Sequence, residues 1–214
     1  MISRAACLIV LTCLAGCSSF PYNSISGPIG TITAATGLPS VTRNNRPYIL
    51  AKHSKIYIGD IIGTDKRSAI GLALVSGQTI DIPPQSQWLV IDMSTNGVDY
   101  KSSSSLAQGA LQVKGPGDKP HEFIIRTAIA ELQTLAERFW LGYHKQGNAG
   151  LIVIAMDDVP VTVRNRNGAT TLTAPGQTTT VAPGVAPQGT VNWTEQKLLN
   201  TIEYYNERSP LTDS

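Results

Sequence analysis

The sequence predicts an all-β protein with two β lobes of jelly-roll or split β-solenoid character and a short C-terminal α-helix. Three observations support this fold class. Short runs of β-branched and aliphatic residues recur along most of the 214-residue chain, separated by Gly, Pro, Asp and Asn residues that favour turns. A strand–turn–strand pattern occurs twice, which indicates two similar lobes. Only the last segment changes from the two-residue period of a strand to the period of a helix.

The chain begins with a positive charge and a short apolar stretch. Arg4 precedes the run Ala5–Leu14, which is too short to span a bilayer as a helix and indicates a signal peptide over residues 1–16. The following sequence, Leu14-Ala15-Gly16-Cys17, resembles the lipobox of bacterial lipoproteins. This resemblance implies cleavage between Gly16 and Cys17, a diacylglycerol thioether on Cys17, and a further acyl chain such as palmitate on the new amino terminus. We therefore expect a membrane-tethered protein.

The residues around the predicted cleavage site also indicate a compartment. Ser18, rather than Asp, follows Cys17, and the resemblance then implies an outer-membrane lipoprotein on the periplasmic face. Cys7 and Cys13 lie in the segment predicted to be removed. We therefore expect neither a disulfide nor a cysteine-ligated metal site in the mature protein.

The charges of the chain are nearly balanced. A formal net charge of +2 gives no sign of a nucleic-acid partner. Two short basic pairs, Arg43 with Arg46 and Arg164 with Arg166, are interpreted as solvated charges, with an acidic partner or a glycan as the alternative.

A tether and a first series of strands are predicted for the N-terminal half. Residues 17–28 are rich in Ser, Pro, Asn and Gly, which is typical of a flexible tether. A β domain over 29–183 then begins with these runs: Thr31–Ala35, Pro47–Ala51, Ser68–Val75, Thr79–Ile82 and Trp88–Met93. Residues 94–119 contain four consecutive serines and a Gly-Pro-Gly-Asp run. We expect a flexible insertion or an inter-lobe loop there, broken by a short strand over Ala110–Lys114.

The C-terminal half repeats the strand pattern and ends in a helix. Its strands begin near Phe123 and continue at Leu151–Met156, Val161–Asn165, Thr170–Thr173 and Thr178–Val181. Residues 184–214 are predicted to form a linker and the helix. Thr194 can cap this helix, the apolar residues Leu198, Ile202 and Tyr205 fall on one of its faces, and Pro210 follows its end.

An internal repeat supports the two-lobe interpretation. Gly77–Val90 and Gly168–Val181 align without a gap, and the identical pairs are Gly77/Gly168, Thr79/Thr170, Pro84/Pro175 and Val90/Val181. A glycine turn, a strand, a proline-containing turn and a second strand would form the same supersecondary unit twice.

A motif in the first half resembles a known family. The run Gly59-Asp60-Ile61-Ile62-Gly63-Thr64, with Ser68–Leu72 and Ser76–Ile80 after it, resembles the FecR-like periplasmic domain of ferric citrate regulators. Downstream segments resemble it too: Phe123–Thr127, Ala130, Phe139–Gly142, Val161–Val163, Gly168 and Ala174–Gln177. The resemblance covers residues 29–183 and implies a β fold with structural turns at Gly59, Asp60, Thr64, Gly77 and Gly168. At Gly59 we expect a backbone conformation that needs glycine, and at Asp60 a carboxylate bonded to turn amides.

Residues 126–140 can be interpreted as strand or helix. Ile125, Ala128, Leu132, Leu135 and Phe139 recur at helical spacing, and Ala128 stands where FecR-like domains usually carry proline. The gapless resemblance favours strands, and strands are what we predict.

The residues with catalytic or metal-binding chemistry form no known pattern. The chain has no nucleophile elbow, zincin helix, Walker loop or dinucleotide fingerprint. Asp157 and Asp158 are adjacent, and because neighbours on a strand face opposite ways, a solvated turn is the better interpretation. His121, Glu122 and His144 lack the spacing of metal ligands and are interpreted as surface residues. We expect no enzyme activity, no metal and no cofactor.

Four aromatic residues are the candidate partner contacts: Trp140, Trp193, Tyr204 and Tyr205. Phe139 and Trp140 face opposite sides of a strand, so one belongs to the core and the other is available for exposure. The other three belong to the terminal helix region, which can meet a partner or fold back over an open sheet.

The expected function is that of a protein-binding or scaffolding module within an envelope assembly. The FecR-like resemblance also admits a sensory component of a cell-surface signalling system. However, ferric citrate regulators carry a sigma-factor-binding segment and a membrane helix before this domain, and here a lipoprotein signal takes their place. A module that binds cell-wall or exopolysaccharide glycans is the third alternative.

Overall fold

Two β-sheets make up this chain in a computed structural model that describes residues 21–206 apart from 116, 118 and 145–149. The described strands of the first half are β1 (Asn23–Ser24), β2 (Gly30–Thr36), β3 (Ser40–Arg43), β4 (Arg46–Ile49), β5 (Lys55–Ile56), β6 (Ile61–Gly63), β7 (Ala69–Leu74), β8 (Thr79–Ile82), β9 (Gln87–Thr95), β10 (Tyr100–Gln108) and β11 (Ala110–Lys114). Those of the second half are β12 (His121–Arg126), β13 (Glu131–Thr134), β14 (Phe139–Tyr143), β15 (Leu151–Ala155), β16 (Val161–Asn165), β17 (Gly168–Leu172), β18 (Gln177–Val181) and β19 (Val191–Asn192), followed by the helix α1 (Glu195–Asn206).

The order of the strands divides each sheet into two lobes. The ten-stranded sheet has the order β17-β16-β13-β12-β10-β9-β6-β3-β4, with β1 paired to β9. The nine-stranded sheet has the order β19-β18-β15-β14-β11-β8-β7-β2-β5. In both, the strands of the first half lie together and those of the second half follow. The lobes meet at the parallel pair β10–β12 and the antiparallel pair β11–β14. The prediction of an all-β, two-lobe fold is confirmed.

The core lies between the sheets and consists of side chains at alternate strand positions. Ile80 and Ile82 on β8, and Phe123 and Ile125 on β12, are buried, while their strand neighbours are more exposed. Each such side chain contributes roughly 1.5–3 kcal/mol on burial. A slip of one residue would turn these side chains to solvent, so the core fixes the register.

The predicted flexible insertion at 94–119 is wrong, because this segment contains all of β10 and all of β11. The four serines, Ser102–Ser105, lie in β10, which pairs with both β9 and β12. The backbone makes the sheet hydrogen bonds, so a polar run can occupy a central strand when a neighbour supplies the apolar contact. Leu106 does so here and is fully buried. The short strand predicted over Ala110–Lys114 is confirmed as β11.

The strand prediction for residues 126–140 is confirmed by β13 and β14. The helical spacing arises because two short strands, separated by a turn, bury Leu132 and Phe139 in the same core. Leu135, which a helix would have placed on that face, is 57% exposed.

The internal repeat keeps its order of elements but not its position in the sheets. Gly77–Val90 contains β8 of the nine-stranded sheet, and its second strand belongs to β9 of the ten-stranded sheet. Gly168–Val181 contains β17 of the ten-stranded sheet and then β18 of the nine-stranded sheet. Each unit therefore crosses between the sheets, and the two units cross in opposite directions.

The N-terminal signal peptide, with Gly16 and Cys17, lies outside the described residues. The prediction of a flexible tether over 17–28 is partly wrong, because Asn23 and Ser24 form β1 and pair with Thr95 and Ser94 of β9. This pairing satisfies backbone groups of β9 that would otherwise face solvent.

The C-terminal helix begins where the sequence predicts it. The amide of Leu198 donates to the carbonyl of Thr194 at 3.1 Å, and the amide of Lys197 donates to Thr194 Oγ1 at 3.4 Å. The preceding linker is fastened to β18, because the amide of Gln188 donates to the Thr180 carbonyl at 3.0 Å. Pro210 lies outside the described residues. Nowhere in the described chain is a helix long and apolar enough to cross a bilayer.

Candidate functional site

Helix α1 covers an apolar area on the outer face of the nine-stranded sheet. Leu198, Ile202 and Tyr205 follow one another at helical spacing and pack on this face. Beneath them is a small second core, separate from the one between the sheets, whose sheet residues are Ala110, Trp140, Ile152 and Ile154. The helix thus folds back over the sheet, as one of the two interpretations of the sequence expected.

The hydroxyl of Tyr205 fixes the end of the helix. Tyr205 is buried and donates a hydrogen bond to the carbonyl of Tyr143. Burial, together with a smaller effect of Tyr204, raises the pKa of Tyr205 to about 12. The hydroxyl therefore stays protonated and can serve as this donor at neutral pH.

Trp140 is not exposed, which corrects its assignment as a partner contact. Phe139 faces the core between the sheets, and Trp140 faces the opposite side, as expected for a strand. The helix covers that side, so Trp140 is only 1% exposed and its ring lies 5.0 Å from that of Tyr205 at 67°. The indole packs over Gly142, where a Cβ would lie 2.5 Å from Trp140 Cη2. Tyr205 is likewise buried and unavailable to a partner.

The other two aromatic candidates line an open groove along one flank of α1. The groove has a volume of about 630 Å³ and includes Trp193, Lys197, Asn200 and Tyr204. Lys197 Nζ lies 3.9 Å from the centroid of the Trp193 ring, an arrangement that favours a cation–π interaction. Tyr204 is 43% exposed. Trp193 is half-buried, so these two residues are the aromatic candidates that the fold leaves accessible.

The turn that resembles the FecR-like motif is built around a buried carboxylate that pairs with a partly exposed arginine. Gly59 has φ of 87°, a conformation that L-residues with a side chain rarely adopt. The next residue, Asp60, is fully buried and accepts a hydrogen bond from the amide of Tyr57 at 2.9 Å. Arg43 donates to both carboxylate oxygens of Asp60 at 2.7 Å and stacks over the Tyr57 ring. Arg43 is thus a structural partner and not the solvated charge that the sequence indicated.

The remaining predicted turn residues, Thr64, Gly77 and Gly168, lie in or next to turns of the β domain. Thr64 Oγ1 donates to the Pro83 carbonyl at 2.7 Å and accepts from the Ser86 amide at 2.9 Å. Gly77 lies in the β7–β8 turn with φ of 97°, and Gly168 begins β17. None of these residues lines the groove beside α1.

His121 is buried, which corrects its interpretation as a surface residue. Its Nδ1 is 2.8 Å from Ser76 Oγ, and its Nε2 is 2.8 Å from Ser102 Oγ, so the ring links β10 to the β7–β8 turn of the other sheet. Burial lowers the pKa of His121 to about 3. The sequence did contain a sign of this burial. His121, Phe123 and Ile125 lie at alternate positions of β12, and residues with that spacing share one face of a strand.

The acidic pair of the sequence belongs to a turn. Asp157 Oδ2 accepts from the amides of Glu137 and Arg138, both at 2.8 Å, and Asp157 Oδ1 accepts from the Val159 amide at 3.1 Å. Within the described ranges, no three His, Cys, Asp or Glu residues are grouped as metal ligands.

Two solved structures share this fold. Both are crystal structures of a candidate anti-sigma factor from Parabacteroides distasonis, each with a TM-score of 0.51, at 14% and 16% sequence identity. Each match covers 67% of this chain and 64% of the crystallised chain, so it spans less than two thirds of that protein. No protein-family model matches the sequence, and no curated protein does. At this level of identity the similarity concerns the fold alone.

Proposed function

We propose that this chain is an outer-membrane lipoprotein whose FecR-like β domain binds a protein partner in the periplasm and acts as a scaffold in an envelope assembly. The observation that supports this function is the groove beside α1. The helix buries its apolar side on the sheet and still presents Tyr204, with half-buried Trp193, to solvent. Amphipathic aromatic side chains of this kind are enriched where proteins bind proteins.

The proposed role is non-catalytic. Two groups with acid–base chemistry are engaged in the fold: Asp157 accepts three turn amides, and His121 is buried between serine hydroxyls. The groove is lined by aromatic rings, side-chain amides, the Lys197 ammonium group and the His144 imidazole, groups that suit contact with a partner.

The helix offers a matched pair of variants to test this function. Tyr204 lies on the groove flank, whereas Leu199 is 46% exposed and does not line the groove. We expect Tyr204→Ser to abolish recovery of the cross-linked partner from cells, and Leu199→Ser to leave it unchanged, with both variants retaining wild-type melting temperatures. Equal recovery with Tyr204→Ser and the wild type would contradict the proposal.

A sensory or regulatory role is the second candidate, and the shared fold with a candidate anti-sigma factor favours it. In this role the groove would bind a receptor or an inner-membrane regulator. Sequencing of the cross-linked partner separates the two functions: an assembly subunit supports the scaffold, whereas a receptor or a sigma-factor regulator supports the sensor.

A glycan is the alternative occupant of the same groove, because an aromatic ring beside Asn200 and Gln196 also suits a sugar. Binding of cell-wall or exopolysaccharide oligosaccharides that is lost in Tyr204→Ser, without any cross-linked protein, would support this alternative.

A further inference from the structure

A second groove lies at one end of the ten-stranded sheet, in the second lobe. The β12–β13 turn, the β16–β17 turn and residues Pro183 and Gly184 enclose an open space of about 740 Å³. Side-chain bonds hold its walls together. Asn165 Nδ2 donates to the carbonyls of Ile129 and Val185 at 3.3 and 2.7 Å, and thereby joins all three segments. These hydrogen bonds fix the three segments relative to one another, so the fold itself forms the groove.

The groove carries an excess of positive charge. Arg126, Glu131 and Arg164 stand in register on neighbouring strands, and both arginines donate to the one carboxylate. The hydrogen bond from Arg164, with the nearby charges, lowers the pKa of Glu131, which stays ionised. Arg166 also lines the groove, and no side chain in the described part of the chain pairs with it. Three guanidinium groups against one carboxylate leave two positive charges.

The arginines retain donors for a ligand. The side chains of Arg126 and Arg164 are both more than half exposed. Arg164 donates to Glu131 through Nε and Nη2, and Nη1 does not take part in this interaction. A guanidinium has five N–H groups in a planar fork, so donors remain for a ligand. Such forks match carboxylates in a bidentate geometry. Arg126 and Arg164 lie two strands apart, or about 10 Å.

We propose that this groove binds an acidic, extended segment of a protein partner, at a surface separate from the one beside α1. Carboxylates at alternate residues of an extended chain lie about 7 Å apart on one side. Arg126 and Arg164, about 10 Å apart, with Arg166 two residues after Arg164, can accept this spacing. Ile129, Ala130 and Pro183 supply apolar contact for the intervening side chains.

The position of the groove favours a protein over the bilayer. β1, the described strand next to the predicted anchor, pairs with Thr95, and Thr95 stands opposite Tyr100 at the start of β10. β12 runs parallel to β10 and places Arg126 at its far end, about 17 Å further on. The groove therefore opens at the end of the sheet opposite the predicted anchor.

The lining favours a peptide over a glycan. None of the described residues that line the groove is aromatic, so it offers no ring face for a sugar to pack on. Its recognition chemistry is that of arginine forks beside small apolar groups.

The test uses the purified full chain and a fluorescent peptide of alternating glutamate and alanine, with a glutamine–alanine peptide of equal length as the uncharged probe. We expect the acidic peptide to raise the fluorescence anisotropy and the uncharged peptide to leave it unchanged. Arg166→Gln should weaken the binding about tenfold, and Arg46→Gln, an exposed arginine on β4, should not change it. Because Arg166 lies in a solvated turn, both variants should melt like the wild type.

Three results would overturn the proposal. The first is an acidic peptide that fails to bind at millimolar concentration, and the second is equal weakening by Arg166→Gln and Arg46→Gln. The third is Arg166-dependent binding of polygalacturonate or of phosphatidylglycerol vesicles that exceeds the binding of the peptide. Loss of peptide binding in Arg166→Gln while Tyr204→Ser still binds the peptide would place this surface apart from the groove beside α1.

Discussion

Both ring nitrogens of His121 lie within hydrogen-bond distance of serine hydroxyls, and Phe123 stacks on the ring at 4.0 Å. The neutral ring is therefore satisfied, and none of the described side chains that contact it, those of Ser76, Gln78, Ser102 and Phe123, is a carboxylate that could pair with a protonated ring. The sequence indicated a surface position for His121, although its alternation with Phe123 and Ile125 is that of a buried strand face. It could not name Ser76 and Ser102, which come from other strands or turns. The sequence did not predict the pairing of Arg43 with Asp60 either, because the two residues are 17 positions apart and only the fold brings them together.

We predict that the domain becomes less stable as the pH is lowered, because His121 takes up a proton when the chain unfolds. Its pKa is about 3 in the folded chain and about 6.5 in an unfolded chain. Between these values the unfolded chain binds a proton that the folded chain does not, so the free energy of unfolding decreases as the pH is lowered. The contribution is complete above about pH 6.5 and falls by up to about 1.4 kcal/mol per pH unit below it.

Urea unfolding between neutral pH and pH 5 measures this effect before the carboxylates titrate. We expect His121→Gln to be less stable at neutral pH and to have a shallower dependence on pH. His53→Asn is the control, since His53 is exposed and asparagine tolerates its φ of 72°. An unchanged slope in His121→Gln would show that another group governs the pH response.

A second prediction at this scale concerns Gly59. A valine there would have to adopt φ of 87°, which should cost about 1–3 kcal/mol of unfolding free energy although no atom crowds the site. Gly189→Val is the matched control, because that site is equally open and has no positive φ. Chemical denaturation of the two variants gives the comparison, and equal stabilities would mean that the Gly59 turn relaxes.

At the scale of elements, periodicity predicted most strands and the helix because side chains alternate where one face is buried. Periodicity failed at β10, a central strand that contains four consecutive serines. The strand is held by backbone hydrogen bonds, which do not depend on the type of side chain. Periodicity was ambiguous over 126–140, where two strands and a turn imitate helical spacing. The groove beside α1 was predicted only in part: the aromatic residues were identified, but whether the helix buries Trp140 depends on how it docks.

We predict that a chain ending at Gln188 still folds but exposes the second core. No helix residue belongs to the core between the sheets, so that core should persist. Loss of α1 would uncover Trp140, Ile152 and Ile154. We expect red-shifted tryptophan fluorescence, binding of a hydrophobic dye and a lower melting temperature. Tyr205→Phe, which loses only the hydroxyl bond, should cost about 1 kcal/mol without the dye binding. Complete unfolding of the truncated chain would mean that α1 belongs to the folding unit.

At the scale of the whole molecule, the position of the predicted anchor relative to the domain matters most. Only five residues separate Cys17 from β1. Fully extended, they reach about 20 Å, which would hold the β1 end of the domain near the membrane. The groove that contains Arg126 would then lie at the end of the ten-stranded sheet that faces away from the bilayer.

We predict that Cys17→Ala abolishes membrane association, because the acyl chains that would anchor the protein cannot be added. The variant should appear as an unprocessed or soluble periplasmic form when cell fractions are separated by density. Cys13→Ala lies upstream of the predicted cleavage site and should fractionate like the wild type. Flotation of Cys17→Ala with outer membrane would rule out the lipoprotein interpretation.

Because β10 and β12 run parallel, the chain has to cross over between them, and it does so through β11 of the other sheet. The segment from β10 through β11 to β12 therefore joins the two lobes in both sheets. Either lobe alone would expose one further strand edge in each sheet, at β10 or β12 in one and at β11 or β14 in the other.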